Sequence, residues 1–329
     1  MENLPMDDFM LGTHDLAQFL KQDRKSLHLE LKEKNINPVI SGGRLYLYPK
    51  DVRRYLTSCD YHYPERQIVS VQMLKGGVGK TTAVVNIAIR ASQFGLKVLC
   101  IDLDQQANLS LAFNQKSEER AVWVDVVEDK ATVAETVMAI SPTLHLIPSN
   151  LNNSVLDKTL TTGGRNIGKA VSKYLNQIKD QYDLILIDTG PSLGAVNTAA
   201  ACAADLVLLP INPDKFSMSG LKKTMEELEF VASEFLERTI PVKILFSRFD
   251  GRESSAHQLL QQCYQEFTEQ MMHNYIRTSS ELKNSIMQGR SIFNRRSTAK
   301  EDFDLVTHEL IALNQRHDHQ SAQIETRID

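Results

Sequence analysis

Closely spaced cysteines are missing from this sequence. Its four cysteines stand far apart, and no C-x-x-C pair occurs; they are Cys59, Cys100, Cys202 and Cys263. A zinc ribbon or an iron–sulfur cluster needs thiols at short spacing, so this absence argues against both. Cys100 and Cys202 lie in apolar runs and are expected to be buried thiols, as in a protein of the reducing cytosol.

A long apolar segment and a strong excess of one charge are lacking too. No uncharged apolar run reaches the roughly 20 residues of a membrane-spanning helix, and the acidic start MENLPMDDFM does not have the pattern of a signal peptide. The formal net charge of −4 excludes a uniformly basic nucleic-acid binder, so any such contact is expected to be local. With 329 residues, 42% of them hydrophobic, the chain fits one large or two modest globular domains.

Residues 11–58 predict a small module of helix, turn, helix, hairpin and helix. THDLAQFL is expected to be a helix with Thr13 as its N-cap, RKSLHLELKEKN a second helix and KDVRRYLTS a third. Between the last two, PVISGGRLYLYP predicts a hairpin that turns at Gly42-Gly43. This order is typical of a winged helix-turn-helix domain, expected here over residues 1–60.

The charge of this module favours DNA binding. Residues 21–58 hold nine basic and four acidic side chains, a local net charge of +5. A positive face can neutralise phosphates while the second helix offers side chains to the major groove. The candidate DNA contacts are Arg24, Lys25, His28 and Arg44. The alternative is a small dimerisation or interaction module whose charged face is only solvated.

Strands and helices alternate after a linker expected at residues 61–66. Several apolar runs are continuous rather than alternating, which is typical of strands buried on both faces. These runs are QIVSVQML, KVLCIDLD, LHLIPS, YDLILIDTG, DLVLLPINP and VKILFSRF. They predict an α/β fold, a parallel sheet with helices on both sides, over residues 67–315. The polar tail, residues 316–329, is expected to be flexible.

The stretch MLKGGVGKTT, between the first strand and a helix that Gly95 stops, predicts a phosphate-binding loop. Leu74 stands where the usual motif has its first glycine, but the glycines at 76, 77 and 79 still let backbone N–H groups converge on phosphate oxygens. Lys80 is expected to reach the β- and γ-phosphates, the Thr81 hydroxyl to bind Mg²⁺, and Thr82 to contact the α-phosphate. The predicted nucleotide-binding residues are Lys75, Gly76, Gly77, Val78, Gly79, Lys80, Thr81 and Thr82.

Three acids end buried strands. Asp188 ends LILID, the expected position of a carboxylate that holds Mg²⁺. Asp102 and Asp104 are two residues apart, so their carboxylates lie on one side of an extended chain. One of them could orient the attacking water while the other supports Mg²⁺ or the loop. The alternative is that both cap the following helix.

Four segments in this order resemble the ParA-type partition ATPases of the deviant Walker A class: KGGVGKTT, IDLDQQANLS, YDLILIDTGPSLG and ADLVLLPINPDKFSMSGL. The resemblance covers roughly residues 67–310. It implies a P-loop NTPase fold, ATP and Mg²⁺ as cofactors, and an ATP-dependent homodimer. It further implies non-specific DNA binding and a ParB-type centromere-binding partner that stimulates hydrolysis during plasmid or chromosome segregation. Such a protein is cytoplasmic and associated with the bacterial nucleoid.

The resemblance also assigns roles to single residues. Lys75 matches the signature lysine, which in the family crosses the dimer interface to the partner's nucleotide. Asp104 matches the residue that activates water, Asp102 the acid beside it, and Asp188 the Walker B acid. Lys75, Lys80 and Asp104 are thus the implied catalytic residues, and Thr81, Asp102 and Asp188 the implied metal site. The alternative for Lys75 is a solvated side chain or a phosphate contact within its own chain.

The chain departs from the family pattern at four positions: Gln105, Gly190, Arg277 and Glu281. Gln105 and Gly190 replace prolines that are frequent in the family. Arg277 replaces a proline that frames the adenine pocket, and Glu281 stands at the place of an arginine that binds DNA. Other basic residues are expected to take over that DNA contact; they are Lys283, Arg290, Arg295 and Arg296.

The N-terminal winged helix-turn-helix resembles that of the larger plasmid-type ParA proteins, which also repress their own operon, so operator DNA is a further expected partner. One alternative function is an ATP-switched DNA-binding transcriptional regulator. Another is a MinD-like membrane-associated ATPase, a class with a C-terminal amphipathic basic helix. The tail of this chain has no such apolar stripe, so no membrane partner is expected.

Overall fold

The computed structural model describes residues 6–315 except 116, 163, 165, 283, 284 and 286–289. Within this range a small N-terminal module leads into a larger α/β domain. The predicted tail at residues 316–329 and the DNA candidate Lys283 lie outside the described residues.

The N-terminal module has the predicted order of elements. It contains a 3-10 helix (Met6–Phe9), β1 (Leu11–Gly12), α1 (Thr13–Phe19), α2 (Arg24–Glu33), β2 (Val39–Ser41), β3 (Arg44–Leu47) and α3 (Pro49–Ser58). β3 lies between β1 and β2 and is antiparallel to both. The prediction that Thr13 caps α1 is wrong, because Gly12 occupies the N-cap position and Thr13 is the first helical residue. Asp23 caps α2, where its carboxylate accepts from the backbone N–H groups of Lys25 and Ser26.

Seven strands form the central sheet of the larger domain. They are β5 (Gln67–Val71), β6 (Val98–Asp102), β7 (Met138–Ala139), β8 (Leu144–Ile147), β9 (Leu184–Asp188), β10 (Leu206–Ile211) and β11 (Val242–Phe246). Their order across the sheet is β11-β10-β5-β9-β6-β8-β7, and every neighbouring pair is parallel except β7 with β8. The six predicted apolar runs are the six parallel strands, so the predicted parallel sheet is confirmed.

Helices and short 3-10 turns cover both faces of this sheet. The helices are α4 (Lys80–Gln93), α5 (Asn108–Ala112), α6 (Trp123–Val127), α7 (Val133–Thr136), α8 (Leu156–Thr162), α9 (Ser172–Leu175), α10 (Ala195–Ala203), α11 (Lys215–Phe235), α12 (Ser254–Glu266) and α13 (Thr298–Ile311). The 3-10 turns are Leu151–Val155, Ile167–Lys169, Lys179–Gln181 and Ile292–Asn294. Along β9, Ile185 and Ile187 belong to one apolar layer, whereas Leu184 and Leu186 belong to the other. Burial on both faces is why these strands read as continuous apolar runs.

The N-terminal module packs against the larger domain at a contact that we call the seam, formed by the module with α4 and α13. Leu16, Leu27 and Leu56 of the module share one buried cluster with Val84 of α4 and Phe303 of α13. Within the predicted linker, β4 (Tyr61–His62) pairs antiparallel with β12 (Asn314–Gln315). The module therefore shares a hydrophobic core with the larger domain, and the domain boundaries at residues 60 and 66 stay a prediction.

A buried ionic network crosses the seam. Arg90 of α4 is only 2% exposed, and its guanidinium lies 3.2 Å from an Asp15 oxygen on α1 and 2.6 Å from an Asp304 oxygen on α13. The ammonium of Lys300 lies 2.7 Å from both carboxylate oxygens of Asp15. Each buried acid in this network has a cation beside it, so the seam is held by paired charge as well as by apolar contact.

Candidate nucleotide-binding site

The loop between β5 and α4 has the backbone that a phosphate cradle requires. Gly77 and Gly79 adopt φ angles of +74° and +98°, in the left-handed region that side chains with a Cβ atom rarely enter. Gly79 is the N-cap of α4, whose first residue is Lys80. The free N–H groups of this helix start therefore face the loop, where an anion is favoured.

Lys80 folds back over the loop that precedes it. Its ammonium lies 3.3 Å from the carbonyl oxygen of Met73, and the residue is 8% exposed. Burial lowers the pKa of Lys80, while the negative charges of Asp188 and Asp104 act against that shift. The side chain borders a cavity of about 740 Å³ together with Gly76, Gly77, Gly79, Thr81, Thr82 and Asp104. Most of the predicted nucleotide-binding residues therefore border one cavity.

Thr81 and Asp188 form the pair that the sequence predicts for a metal. The Thr81 hydroxyl donates to Asp188 Oδ2 over 2.6 Å, although the two residues are 107 positions apart in the sequence. Asp188 is fully buried, and its other oxygen, Oδ1, has no hydrogen-bond partner among the described residues. Burial, and then the nearby charge of Asp102, raise the pKa of Asp188 to about 8. A buried carboxylate oxygen without a partner, beside a hydroxyl, fits a Mg²⁺ ion.

Asp102 and Asp104 lie at the same sheet edge but face different partners. Asp102 is adjacent to Asp188 across β6 and β9, and burial raises its pKa to about 7. Its Oδ2 accepts from the backbone N–H and the hydroxyl of Ser110 at 2.9 and 2.8 Å, so it caps the first turn of α5. Asp104 borders the cavity, and its Oδ1 accepts from the Gln106 N–H at 2.9 Å. Metal binding by Asp102 stays a prediction, because one of its carboxylate oxygens already accepts two hydrogen bonds from Ser110.

Lys75 points away from this cavity in the described structure. Its ammonium lies 2.6 Å from both carboxylate oxygens of Asp214 and 3.4 Å from the Ser217 hydroxyl. Asp214 is also the N-cap of α11, where it accepts from the Ser217 N–H at 2.9 Å. About a third of each charged side chain is exposed, so solvent screens the pair. The Lys75 side chain is thus held within its own chain, by a carboxylate rather than by the loop.

Sequence reasoning missed several residues of the cavity wall. They are Gln106, Asn108, Leu111, Ala112, Asn114, Gln115, Glu118, Pro191 and Arg248. Arg248 follows the carboxyl end of β11 and has a left-handed φ of +56°. Ligands of α/β sheets bind at the carboxyl ends of the strands, so the position of Arg248 just after VKILFS was a usable signal. Asp214, just beyond the end of β10, carried the same signal.

Arg277, which stands where the family has the proline of the adenine pocket, forms ion pairs with two acids of α13. Its guanidinium donates to Asp302 Oδ1 at 2.6 and 2.9 Å and to Asp302 Oδ2 at 3.1 Å, and it also donates to Glu301 at 3.3 Å. This side chain therefore ties the segment after β11 to α13. Arg277 is not among the described residues that border the cavity at the phosphate loop.

Comparison with known proteins places this geometry in a family. The profile of the AAA domain family matches residues 66–241, which is more than half of the chain. A ParA family protein of the Chlamydia trachomatis virulence plasmid, pGP5-D, is 31% identical over 247 residues, covering 72% of this chain and 90% of that protein. The chain belongs to the ParA family.

Solved structures share the fold of this ParA family member at low sequence identity. The ATP complex of a Cyanothece McdA variant superposes with a TM-score of 0.70 at 20% identity, covering 77% of this chain and 98% of that one. Cobyrinic acid a,c-diamide synthase from Mycobacterium smegmatis, with bound ADP and magnesium, gives 0.64 at 18% identity, covering 74% and 95%. These neighbours thus hold adenine nucleotides, one of them with Mg²⁺, on the same fold.

The basic residues predicted for DNA divide into groups in this ParA family member. Arg24, His28 and Arg44 of the module lie around one cavity with Arg295 and Arg296 of the larger domain. Lys25 is exposed on α2 outside that cavity. Arg290 borders a smaller cavity that includes Glu281 and Arg295. In the part of the chain that the structure describes, no helix is long and apolar enough to cross a membrane.

Proposed function

We propose that this protein is a Mg²⁺-dependent ATPase of the ParA type that acts in plasmid or chromosome segregation. The observation that carries the proposal is the hydrogen bond from Thr81 to the buried Asp188, whose other carboxylate oxygen has no partner among the described residues. This pair lies beside a loop whose Gly77 and Gly79 have left-handed backbone angles. Membership in the ParA family supports the same chemistry. Among the described residues, no group of three His, Cys, Asp or Glu residues is placed to hold a metal by itself.

In this proposal the loop of residues 76–82 holds the triphosphate. Backbone N–H groups and the start of α4 bind the phosphate oxygens, and Lys80 neutralises the terminal ones. Thr81 and Asp188 would hold Mg²⁺, and the ion would supply positive charge against the negative charge that develops during phosphoryl transfer. Asp104, at the cavity wall, positions the attacking water and accepts its proton. Asp102 supports Asp104 from behind, because the Asp104 N–H donates to it.

Lys75 acts on the nucleotide of a second subunit. A lysine supplied from a partner stabilises transferred charge as an arginine finger does. Within one chain Lys75 is bound to Asp214, so closure of the dimer has to exchange that carboxylate for phosphate. The exchange is feasible because the pair is partly exposed and therefore weak. Hydrolysis is consequently slow in the monomer and rises when a ParB-type partner and DNA stabilise the closed dimer.

The variant Lys75→Ala tests the role in a second subunit. We expect hydrolysis and ATP-dependent dimerisation to be lost while ATP binding persists, measured by phosphate release, light scattering and nucleotide titration. Lys243→Ala is a control that removes a lysine outside the loop. Full turnover of Lys75→Ala would contradict the role of Lys75 in trans.

DNA binding by the closed dimer completes the proposal. Non-specific contacts with phosphates, by basic residues of both parts of the chain, would place the protein on the nucleoid and make its affinity salt-dependent. The module, as a winged helix-turn-helix, would present α2 to the major groove of an operator and repress its own operon. Its helix order and the local charge of +5 over residues 21–58 support this role.

A second candidate is an ATP-switched transcriptional regulator without a role in movement. The packing of the module on α4 favours it, because α4 starts at the phosphate loop and could transmit the nucleotide state. Lys25→Gln, a substitution on the exposed face of α2, separates the two. If Lys25→Gln loses promoter repression while segregation stays normal, movement is the main task. If segregation is normal even when the whole protein is absent, the regulator is favoured.

A further inference from the structure

A second cavity lies at the seam, and its wall contains no residue of the phosphate loop. It has a volume of about 420 Å³, and we call it the seam pocket. Its wall comes from three places: the start of α1, the region of α2 and the hairpin, and the segment before α13 together with the first turn of that helix. The polar residues of the wall are Thr13, His14, Asp15, Arg24, His28, Tyr46, Arg44, Arg295, Arg296 and Lys300.

The seam pocket has a surplus of positive charge. Its one acid, Asp15, is already bound by Lys300 at 2.7 Å and by Arg90 from behind. Four guanidiniums line the pocket without a carboxylate within salt-bridge distance among the described residues; they are Arg24, Arg44, Arg295 and Arg296. Elsewhere in this protein arginines at such contacts are paired, as Arg53 is with Asp183 at 2.5 Å. Arginines that lack a carboxylate partner around one concave space are typical of a site for an anion.

His14 shows the same surplus at atomic detail. Its Nδ1 accepts from Arg24 Nε at 3.2 Å, and its Nε2 lies 3.1 Å from a terminal nitrogen of Arg296. Arginine only donates, and a neutral imidazole accepts at one nitrogen, so one of these contacts sets two donors against each other. An acceptor placed between the two guanidiniums would remove this conflict.

His28 adds an unsatisfied polar atom to the same wall. Its Nε2 is buried and has no hydrogen-bond partner among the described residues. A buried polar atom left without a partner costs free energy, and such atoms in native proteins call for a ligand or a water. His28 and His14 thus point to a ligand rich in oxygen, on independent grounds.

We propose that the seam pocket binds a phosphate group. A phosphate presents several acceptor oxygens that planar guanidiniums bind in a bidentate manner. It would join Arg24 of the module to Arg296 of the larger domain and so link the two parts of the chain. The phosphate belongs either to a DNA backbone or to a free phosphate compound. The DNA source rests on the proposed function, whereas the free source does not.

The first measurement is the salt dependence of non-specific duplex binding by the full-length protein. If a DNA phosphate enters the pocket, Arg24→Gln and Arg296→Gln each lower the slope of log K against log salt by about one. Because both residues then share one phosphate, the double variant loses about as much slope as either single variant. Arg54→Gln is the control, since Arg54 is an exposed arginine of the same module, outside the pocket, and its slope should equal the wild-type value.

The second measurement is calorimetric titration with pyrophosphate, with the phosphate loop kept filled by saturating ADP and Mg²⁺. If the pocket takes a free phosphate compound, the wild type and Arg54→Gln bind pyrophosphate, whereas Arg24→Gln and Arg296→Gln bind at least tenfold more weakly, with an unchanged DNA slope. Arg296→Lys keeps the charge but not the planar fork, and it is expected to restore only part of the affinity in either measurement.

The proposal is overturned if the pocket variants match Arg54→Gln in both measurements. Thermal unfolding shows whether a variant is folded. If either glutamine variant is unfolded, the comparison with Arg54→Gln is made with Arg296→Lys instead. ATP hydrolysis is recorded alongside. If the wild-type protein hydrolyses ATP normally but shows no binding at the pocket in either measurement, the phosphate site alone is contradicted. If the wild-type protein binds at the pocket but does not hydrolyse ATP, the proposed function alone is contradicted.

Discussion

The edge of the sheet at the phosphate loop and the seam between the module and the larger domain carry opposite charge. At the sheet edge, Asp102 and Asp188 are buried side by side, and burial raises the pKa of both. At the seam pocket, four arginines face one cavity whose single acid is already paired. Deeper in the seam, Arg90 lies between two acids and is balanced.

The comparison separates charge that maintains the fold from charge that awaits a ligand. A buried charge with partners is part of the structure, whereas one without a partner raises the free energy of the folded state until something of opposite sign binds. The sheet edge then calls for a cation, and the seam pocket for an anion. Each of the following predictions tests one side of this contrast.

Removal of the balanced cation should have the largest effect on stability. In Arg90→Met, Asp15 and Asp304 lose their shared partner inside the seam, so we expect the free energy of unfolding to fall by about 3–5 kcal/mol. Urea denaturation at neutral pH measures it. The exposed Arg54→Met should stay within about 0.5 kcal/mol of wild type. A loss below about 1 kcal/mol for Arg90→Met would show that the network is not balanced as described.

Removal of an unbalanced acid should act in the opposite direction on stability. The pKa of Asp188 is raised in the folded state, so the acid costs stability, and the cost grows as pH rises towards 8. In Asp188→Asn we therefore expect the free energy of unfolding at pH 8 without Mg²⁺ to rise, on the order of 1 kcal/mol or more. ATP hydrolysis should fall about 100-fold, because the variant removes the carboxylate that we propose as a Mg²⁺ ligand.

The exposed Asp180 provides the matched control for this carboxylate. Asp180→Asn is expected to change neither stability nor hydrolysis by a measurable amount, since 78% of that side chain is exposed. If Asp188→Asn were both inactive and less stable than wild type, Asp188 would be a structural acid and the contrast would fail.

His308 provides a pH test of the seam. It packs between Phe19 and Phe94, with ring centroids 4.8 Å away, and burial lowers its pKa to about 3. The unfolded chain therefore binds a proton that the folded chain does not, and stability should fall as pH drops below about 6.5, by up to about 1.4 kcal/mol per pH unit.

The variant His308→Gln isolates this contribution. Denaturation of both proteins between pH 7 and pH 5 should give a shallower slope for the variant, because all other groups titrate in both. Equal slopes would mean that His308 is protonated in the folded seam.

The release of Lys75 should have the smallest effect. Asp214→Asn keeps a side chain that can cap α11 but removes the charge that holds Lys75. Because the pair is exposed by about a third, its loss is worth at most about 1 kcal/mol, and we expect dimerisation and hydrolysis to rise by up to about fivefold. Ser217→Ala, which removes a weaker contact to Lys75, should change hydrolysis less. A decrease in Asp214→Asn would indicate that Asp214 also serves the closed dimer.

Local pattern was sufficient for most of the fold and for the glycine loop between β5 and α4. Strands buried on both faces leave continuous apolar runs, and the glycines of the loop are required by its backbone angles, so both are written in a few neighbouring residues. The two-residue strand β7 was missed, because so short a strand leaves no period to read. The N-cap of α1 was misplaced by one residue, since helix starts are set by backbone geometry as well as by side chains.

Contacts between distant residues could not be predicted. Lys75 and Asp214 are 139 residues apart, and no spacing rule connects them. Because the module shares a buried core with α4, deletion of residues 1–66 would also expose part of the larger domain, so point substitutions are the better test of the module.

The sequence by itself determined the parallel sheet, the glycine loop and the acids at the strand ends, because these depend on local periodicity and on the chemistry of single residues. Only the tertiary structure decided which charges are paired. Arg90 meets Asp15 and Asp304, Lys75 meets Asp214, and Arg24 and Arg296 both meet His14 only through packing. Electrostatic energy depends on distance and burial in the folded molecule, and neither quantity can be read along the chain.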